Sequence, residues 1–253
     1  MQQKDYKYVK ADLAISQYVD SFWYLKPSSH NAAVSIPNGT IDLIFTKSKE
    51  GAFWVALMGV ETKSSKVPDT VSDTHFAISF RPMAMEYILN LSVANILDTG
   101  NILPPDFWPI KAADLDDFDA FCTLATRIIQ KRLPREIDSR KQKLFDLIFD
   151  SQGEMSVKEL SEKIFWSDRQ INRYFNQQFG LSLKAYCNII RFRASLKHIS
   201  EGKQFPEQNF TDQNHFIKSV KKYAGVTPKA LSKNEDNRFS YLTILQNQKP
   251  DNV

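Results

Sequence analysis

The order of apolar and polar residues divides the chain into two parts. Residues 1–110 contain short apolar and aromatic runs separated by polar residues, a pattern typical of β-strands. The predicted strands span residues 21–25, 34–36, 41–46, 53–58 and 75–80. Asn38-Gly39 separates two of these runs, and this dipeptide predicts a tight β-hairpin. Short helices are predicted at 13–18 and, just after Pro82, at 84–89.

The rest of the chain has a helical rhythm. Apolar residues recur every three or four positions over 114–133, a segment that begins acidic and ends basic, as the helix dipole favours. Pro134 ends this helix, and every element predicted beyond residue 140 is a helix. The fold class is therefore α+β. We expect a mainly-β domain, a linker helix with its connection, an all-α domain and a polar tail, at 1–113, 114–137, 138–234 and 235–253.

Stop and start signals place the C-terminal helices. Ser156 with Glu159, and Ser167 with Gln170, fit the capping box in which two side chains pair with helix N-terminal amides. Glycine is the common residue after a helix end, and it follows three of the predicted helices, at Gly180, Gly202 and Gly225. Two helices with a short turn between them, 156–164 and 167–179, have the size and order of a helix–turn–helix.

The residue pattern of the second helix occurs twice in the sequence. Segment 167–185 aligns without gaps on 212–230, at a constant offset of 45 residues. In the first copy one face is apolar, through Ile171, Tyr174, Phe175 and Phe179. The other face carries side chains that can read base edges, because Arg pairs with guanine while Asn and Gln pair with adenine. They are Arg169, Gln170, Asn172, Arg173 and Asn176.

Composition narrows the class of protein. The net charge of +4 is unevenly distributed: 13 basic and 15 acidic residues over 1–133 give −2, whereas 20 basic and 14 acidic residues over 134–253 give +6. The basic C-terminal half is a mild indication of a polyanionic partner.

No apolar run suits a membrane span, and the N-terminus lacks the apolar core of a secretory signal. Cys122 and Cys187 have no metal or redox spacing, so we expect reduced, buried thiols in a cytoplasmic protein. Common nucleotide-binding, hydrolase and zinc-protease motifs are absent.

These motifs resemble the DNA-binding domain of AraC-type bacterial transcription regulators. The resemblance rests on SVKELSEKI and FWSDRQINRYFNQQFGLSLKAY, then on NFTDQNHFIKSVKKYAGVTPKAL, and it covers roughly residues 140–232. In that family seven helices form two helix–turn–helix units joined by a linker helix, and two recognition helices enter adjacent major-groove segments. The resemblance therefore implies a sequence-specific transcription regulator, not an enzyme.

The resemblance also assigns positions. By alignment, the recognition helices are 167–179 and 212–223, and 183–199 is the linker helix, with Arg191 and Arg193 near its middle. It implies operator DNA as partner and makes RNA polymerase a further candidate. The DNA-facing candidates are Ser167, Arg169, Gln170, Asn172, Arg173, Gln213, Asn214, Ile217 and Lys218.

The second unit departs from the family pattern. Only seven residues, KQFPEQN at 203–209, separate Gly202 from Phe210, too few for the supporting helix that the family has there. We therefore expect a shortened second unit whose helix packs or contacts phosphates, leaving specificity to the first. The alternative is a degenerate DNA-binding fold that serves as a protein–protein scaffold. An enzyme built on the β domain has no residue constellation to support it.

The N-terminal part is similar to an uncharacterised domain that often precedes such regulators, through IPNGTIDLIF and HFAISFRPMAMEYIL. The similarity implies a cupin-like fold that binds a small effector or forms a homodimer. Arg81, before Pro82, is the candidate for an anionic effector, and a solvated or salt-bridged corner arginine is the alternative. His30 and His75 lack ligand spacing, so we expect neither metal nor cofactor.

Overall fold

The computed structural model describes residues 5–26, 33–66, 73–203 and 212–247, which form a mainly-β N-terminal part followed by an all-α C-terminal part. The predicted α+β class is thus confirmed. The strands are β1 (Asp5–Lys10), β2 (Val19–Lys26), β3 (Val34–Ser35), β4 (Ile41–Lys47), β5 (Phe53–Met58), β6 (Ser65–Lys66), β7 (Thr74–Phe80) and β8 (Gly100–Leu103). Among the described residues, one antiparallel sheet has the order β1-β2-β7-β4-β5-β8, and β3 pairs with β6 in a separate ribbon. The cupin-like detail stays a prediction.

Each predicted strand overlaps a strand of the structure, but the hairpin predicted at Asn38-Gly39 is wrong. β3 pairs with β6, while β4 pairs with β5 and β7. The Asn38 side chain accepts the Thr40 amide at 2.9 Å, which makes a local turn instead. Gly39 has a φ of 79°, and a Cβ there would lie 2.6 Å from Ile190. The glycine therefore permits close packing against a distant helix.

The helices follow the predicted order. They are α1 (Met83–Tyr87), α2 (Phe118–Lys131), α3 (Ser139–Asp150), α4 (Val157–Ile164), α5 (Asp168–Phe179), α6 (Leu183–Ser200), α7 (Gln213–Ala224), α8 (Pro228–Lys233) and α9 (Ser240–Asn247). The helix predicted at 13–18 is wrong, because that segment makes successive turns that lead into β2. α2 begins after Asp117, whose side chain accepts the Ala120 amide at 2.7 Å.

α2, expected as a linker, packs on the sheet. The ring of Phe121 meets those of Phe22, Phe45 and Phe76 at centroid distances of 6.4, 5.7 and 5.1 Å, in edge-to-face geometry. Such pairs add stability beyond the area that they bury. The α2 helix is therefore part of the core of the N-terminal part.

The N-terminal and C-terminal parts share one continuous cluster of buried side chains. Tyr186 of α6 is fully buried and donates its hydroxyl to the Gly39 carbonyl at 2.9 Å. Residues 235–247, expected as a polar tail, join the cluster, because Phe239 and Leu242 are buried and the Val34 amide donates to the Arg238 carbonyl at 2.7 Å. The domain limits stay a prediction.

Candidate nucleic-acid interface

α4 and α5 form the predicted helix–turn–helix. Both capping boxes are present, one of Ser156 with Glu159 and one of Ser167 with Gln170. In the turn Phe165 has a φ of 56°, a conformation rare for bulky residues, and its side chain is 88 % exposed. The two caps and this tight turn fix the start of α5, the element that carries the first group of candidate residues.

α5 has a buried side and an exposed side. Ile171, Phe175 and Phe179 are completely buried and anchor the helix in the shared core. Arg169 and Arg173 are exposed, and neither guanidinium has an ion pair or hydrogen bond within the part of the chain that the structure describes. Their donors are therefore available to an acceptor from outside, such as a base edge or a phosphate.

Gln170 and Asn172 are more constrained than the sequence indicates. The Oε1 atom of Gln170 accepts hydrogen bonds from both the backbone amide and the hydroxyl of Ser167, each at 2.9 Å. Only the side-chain amide nitrogen of Gln170 therefore remains available to an external partner such as DNA. Asn172 donates to the Asp168 carbonyl at 3.0 Å and accepts the Leu183 amide at 3.2 Å. Both polar groups of Asn172 thus have intrachain partners, and we expect it to act as a brace between α5 and α6; its predicted contact with bases stays a prediction.

Replacing Asn172 with alanine should lower stability by about 1 kcal/mol, because the Leu183 amide loses its acceptor. The base preference of the protein should stay unchanged, since a brace makes no base contact. Thermal unfolding and selection from random duplex DNA measure the two effects. Gln177→Ala, an exposed change on the same helix, is the matched control. A stable Asn172→Ala protein with altered base preference would show that Asn172 reads DNA.

α7 repeats the design of α5. The Asp212 side chain caps it by accepting the His215 amide at 2.8 Å, and Gly225 ends it with a φ of 73°. Phe216 and Val220 are completely buried. The half-buried Ile217 lies among exposed polar and cationic residues, namely Gln213, Asn214, Lys218, Lys221 and Lys222. Of the shortened segment 203–209 ahead of α7, residues 204–209 lie outside the described residues, so its expected effect stays a prediction.

The N-terminal part lies against the C-terminal ends of both helices. At the end of α5, Ser92 donates its hydroxyl to the Gln177 carbonyl at 2.7 Å, and the Val93 amide donates to the Gln178 carbonyl at 2.9 Å. A Cβ on Gly180 would lie 2.4 Å from the Ala94 oxygen, so only glycine fits there. At the end of α7, a Cβ on Gly225 would come within 3.3 Å of the Ser64 hydroxyl. The polar faces of the N-terminal halves, which carry most of the candidate residues, remain exposed.

Helix α6 is tied to the sheet by a largely buried ion pair. Arg193 donates through Nη2 to both carboxylate oxygens of Asp20, at 2.7 and 2.8 Å, and through Nη1 to the Asn38 carbonyl at 3.3 Å. The Asp20 side chain is only 8 % exposed. Burial opposes its ionisation, but Arg193, with Arg81 and Lys10, outweighs burial and holds the pKa of Asp20 below its usual value. Neither the pair nor its partners can be inferred from sequence spacing.

A cavity of about 780 Å³ adjoins this ion pair. Its walls come from β1, the turns at 13–18, α6 and α9. Arg81, the candidate for an effector, lies on its wall, with Nη2 3.7 Å from the Asp20 carboxylate and its guanidinium 4.9 Å from the centroid of the Phe149 ring. The structure thus places Arg81 both in an ion pair and beside a cavity.

Other candidate chemistry is limited. In the described ranges no three His, Cys, Asp or Glu side chains are grouped to hold a metal, and His30 lies outside those ranges. His75 Nδ1 lies 2.9 Å from the Thr46 hydroxyl, and burial lowers its pKa. Burial raises the pKa of the unpaired Cys122 and Cys187 thiols to about 12, so both are protonated at neutral pH. None of the described helices combines the length and apolarity that crossing a membrane requires.

A family model matches the N-terminal part of the chain. Residues 7–101 match a domain of unknown function, DUF6597. This match includes most of the sheet and both segments that carry the N-terminal resemblance. No curated protein matches the chain.

Solved structures of ToxT from Vibrio cholerae are similar at low identity. Apo ToxT of strain SCE256, in a variant form, is 10% identical, with 94% of this chain and 100% of that chain covered and a TM-score of 0.45. ToxT of strain O395 bound to (E)-4-(8-methylnaphthalen-1-yl)but-3-enoic acid is 12% identical, with 96% of this chain and 98% of that chain covered and a TM-score of 0.44. ToxT bound to an unsaturated fatty acid is 11% identical, with 99% of this chain and 100% of that chain covered and a TM-score of 0.43. At these TM-scores the likeness carries no argument about binding or activity.

Proposed function

We propose that the protein is a sequence-specific DNA-binding transcription regulator whose helix α5 reads bases in the major groove. The observation that carries this proposal is the exposed, cationic N-terminal half of a helix that is capped at its start and completely buried on its other side. Arg169 and Arg173 have unpaired guanidinium groups, which match the acceptors of guanine. The resemblance of the α4–α5 motif to AraC-type regulators supports the same docking.

Phosphate contacts would position the protein on the duplex. The N-terminal turn of α5, capped by Ser167, presents backbone amides that suit a phosphate. We assign α7 mainly to contacts with the phosphate backbone of DNA, because its exposed face is dominated by lysines. A lysine ammonium acts as a point charge, whereas the planar guanidinium of arginine can make two parallel hydrogen bonds to a base. Gln213, Asn214 and the half-buried Ile217 would supply any base contact made by α7.

The remaining partners follow from the resemblance and are part of the proposal. Operator DNA is the main partner, and the N-terminal part would bind a small effector or form a homodimer. RNA polymerase is a further proposed partner, and no enzymatic activity is proposed. Binding of the full-length protein to duplex DNA selected from a random pool tests the function directly.

Replacing Lys218 with alanine should change the salt dependence of binding more than its sequence preference. Loss of one phosphate contact should reduce the slope of log K against log salt by about 0.9. Fluorescence anisotropy of the selected duplex over a series of KCl concentrations measures that slope. Lys131→Ala removes an exposed charge at the end of α2 and should leave the slope unchanged. Equal slopes for Lys218→Ala and the unaltered protein would remove α7 from the proposed backbone contact.

A further inference from the structure

The cavity beside the Asp20–Arg193 pair has the dimensions of a ligand site. Its volume of about 780 Å³ lies within the range of roughly 300–1,000 Å³ that small-molecule pockets occupy. It is bounded on one side by the sheet and on the other by α6 and α9. A molecule bound there would contact the N-terminal and C-terminal parts together.

The charged wall of the cavity has donors to spare. Four cationic side chains line it, Lys10, Arg81, Arg193 and Lys197, against two acidic ones, Asp20 and Glu201. Arg193 and the Asp20 carboxylate are engaged with each other at 2.7 and 2.8 Å. The excess positive charge therefore resides mainly on the other three cations.

Arg81 is only partly paired within the described residues. Its Nη2 lies 3.7 Å from Asp20, an ion-pair contact beyond hydrogen-bond length, and its buried Nε has no hydrogen-bond partner among the described residues. None of the described residues accepts a hydrogen bond from this guanidinium, so the group suits an anion that enters the cavity. Lys10 and Lys197 are exposed and flank the same space from β1 and from α6.

Part of the remaining wall is apolar. Leu13, in the turns ahead of β2, is 91 % exposed and lines the cavity. From α9, Ile244 and Leu245 line it as well. A small inorganic ion would leave this apolar surface uncovered, whereas an organic anion with an apolar portion would cover it.

We propose that this cavity binds an organic anion whose carboxylate or phosphate group pairs with Arg81, Lys10 and Lys197, and whose apolar portion lies against Leu13, Ile244 and Leu245. The inference deepens the proposed regulatory function by giving the effector a place and a chemical class. It is tested on the full-length protein without DNA, so its failure and the failure of the proposed function are distinguishable.

Four probes of graded chemistry test the site: octanoate, octyl phosphate, 1-octanol and acetate. Isothermal titration should show saturable binding of octanoate or octyl phosphate, and the tighter of the two identifies the preferred head group. At a hundredfold excess over Kd that probe should raise Tm by about 5 °C. 1-Octanol lacks the anionic group and acetate lacks the apolar portion, so each should bind at least about tenfold more weakly.

Variants locate the binding in the cavity. Arg81→Gln and Lys197→Gln should each weaken the tighter probe by about tenfold. Lys184→Gln, an exposed change near the start of α6 and outside the cavity lining, should leave Kd within twofold. Lys197→Gln is a surface change, so it keeps the test valid if Arg81→Gln fails to fold. No saturable binding of either amphiphilic anion, equal binding of 1-octanol, or unchanged binding by both cavity variants overturns the inference.

Discussion

Alanine at position 173 is expected to weaken binding of the full-length protein to its selected duplex by roughly 1–3 kcal/mol, or about five- to 150-fold, at fixed salt. Arg173 is exposed on α5, and within the described residues its guanidinium has no ion pair or hydrogen bond that the substitution would break. The loss therefore falls on DNA contacts and not on folding. The base preference at one position of the site should relax at the same time, because the paired guanine loses its donor fork.

The control for Arg173→Ala is Arg127→Ala, which removes the same charge from the exposed side of α2. The control should change affinity only slightly, through the small change in overall charge. Anisotropy titrations of both variants at matched salt, with unfolding curves to confirm folding, make the comparison. If a folded Arg173→Ala protein binds the selected site as tightly as the Arg127→Ala protein, the proposed orientation of α5 is wrong.

Replacing Asp20 with asparagine should destabilise the protein by about 3 kcal/mol, because Arg193 would keep its buried charge without a counter-charge. The substitution also removes the charge that faces Arg81 at 3.7 Å. Urea denaturation near neutral pH measures the loss. Asp119→Asn, the same chemical change at an exposed position on α2, should cost little.

A double variant separates the ion pair from other effects. Asp20→Asn combined with Arg193→Gln removes both charges, so it should be less destabilised than the two single changes predict together. Simple addition of the two losses would mean that the pair contributes nothing as a pair. Because the folded pKa of Asp20 is held below its ordinary value, the contribution is present above about pH 4 and is lost as pH falls through the folded pKa. The difference between the unaltered protein and Asp20→Asn should therefore shrink at strongly acidic pH.

Local signals predict the local parts of the structure. Ser167 with Gln170 gives the start of α5, Gly180 its end, and the spacing of Ile171, Phe175 and Phe179 its buried side. Each of these features depends on residues within one helix, where hydrogen-bond geometry and periodicity fix the outcome. The exposed positions of Arg169 and Arg173 follow from the same periodicity.

Features that depend on distant partners are not visible in the sequence. Asn38-Gly39 has the composition of a hairpin turn, but its neighbour is Ile190 of α6, so packing and not strand pairing decides its role. Asn172 has the residue type of a base reader, but the Leu183 amide lies within reach and engages it. Asp20 and Arg193 are 173 residues apart, and no periodicity connects them.

Selection from random duplex DNA with the full-length protein tests the proposed function most directly. If α5 reads bases, the selection should return a compact motif whose binding falls steeply with salt, and Arg173→Ala should relax one position within it. A motif that spans two adjacent major-groove segments would add α7 as a second reader, and a motif in one segment would leave α7 on the phosphates. No enriched sequence, with only weak and salt-sensitive binding, would contradict the proposal and favour a protein–protein scaffold.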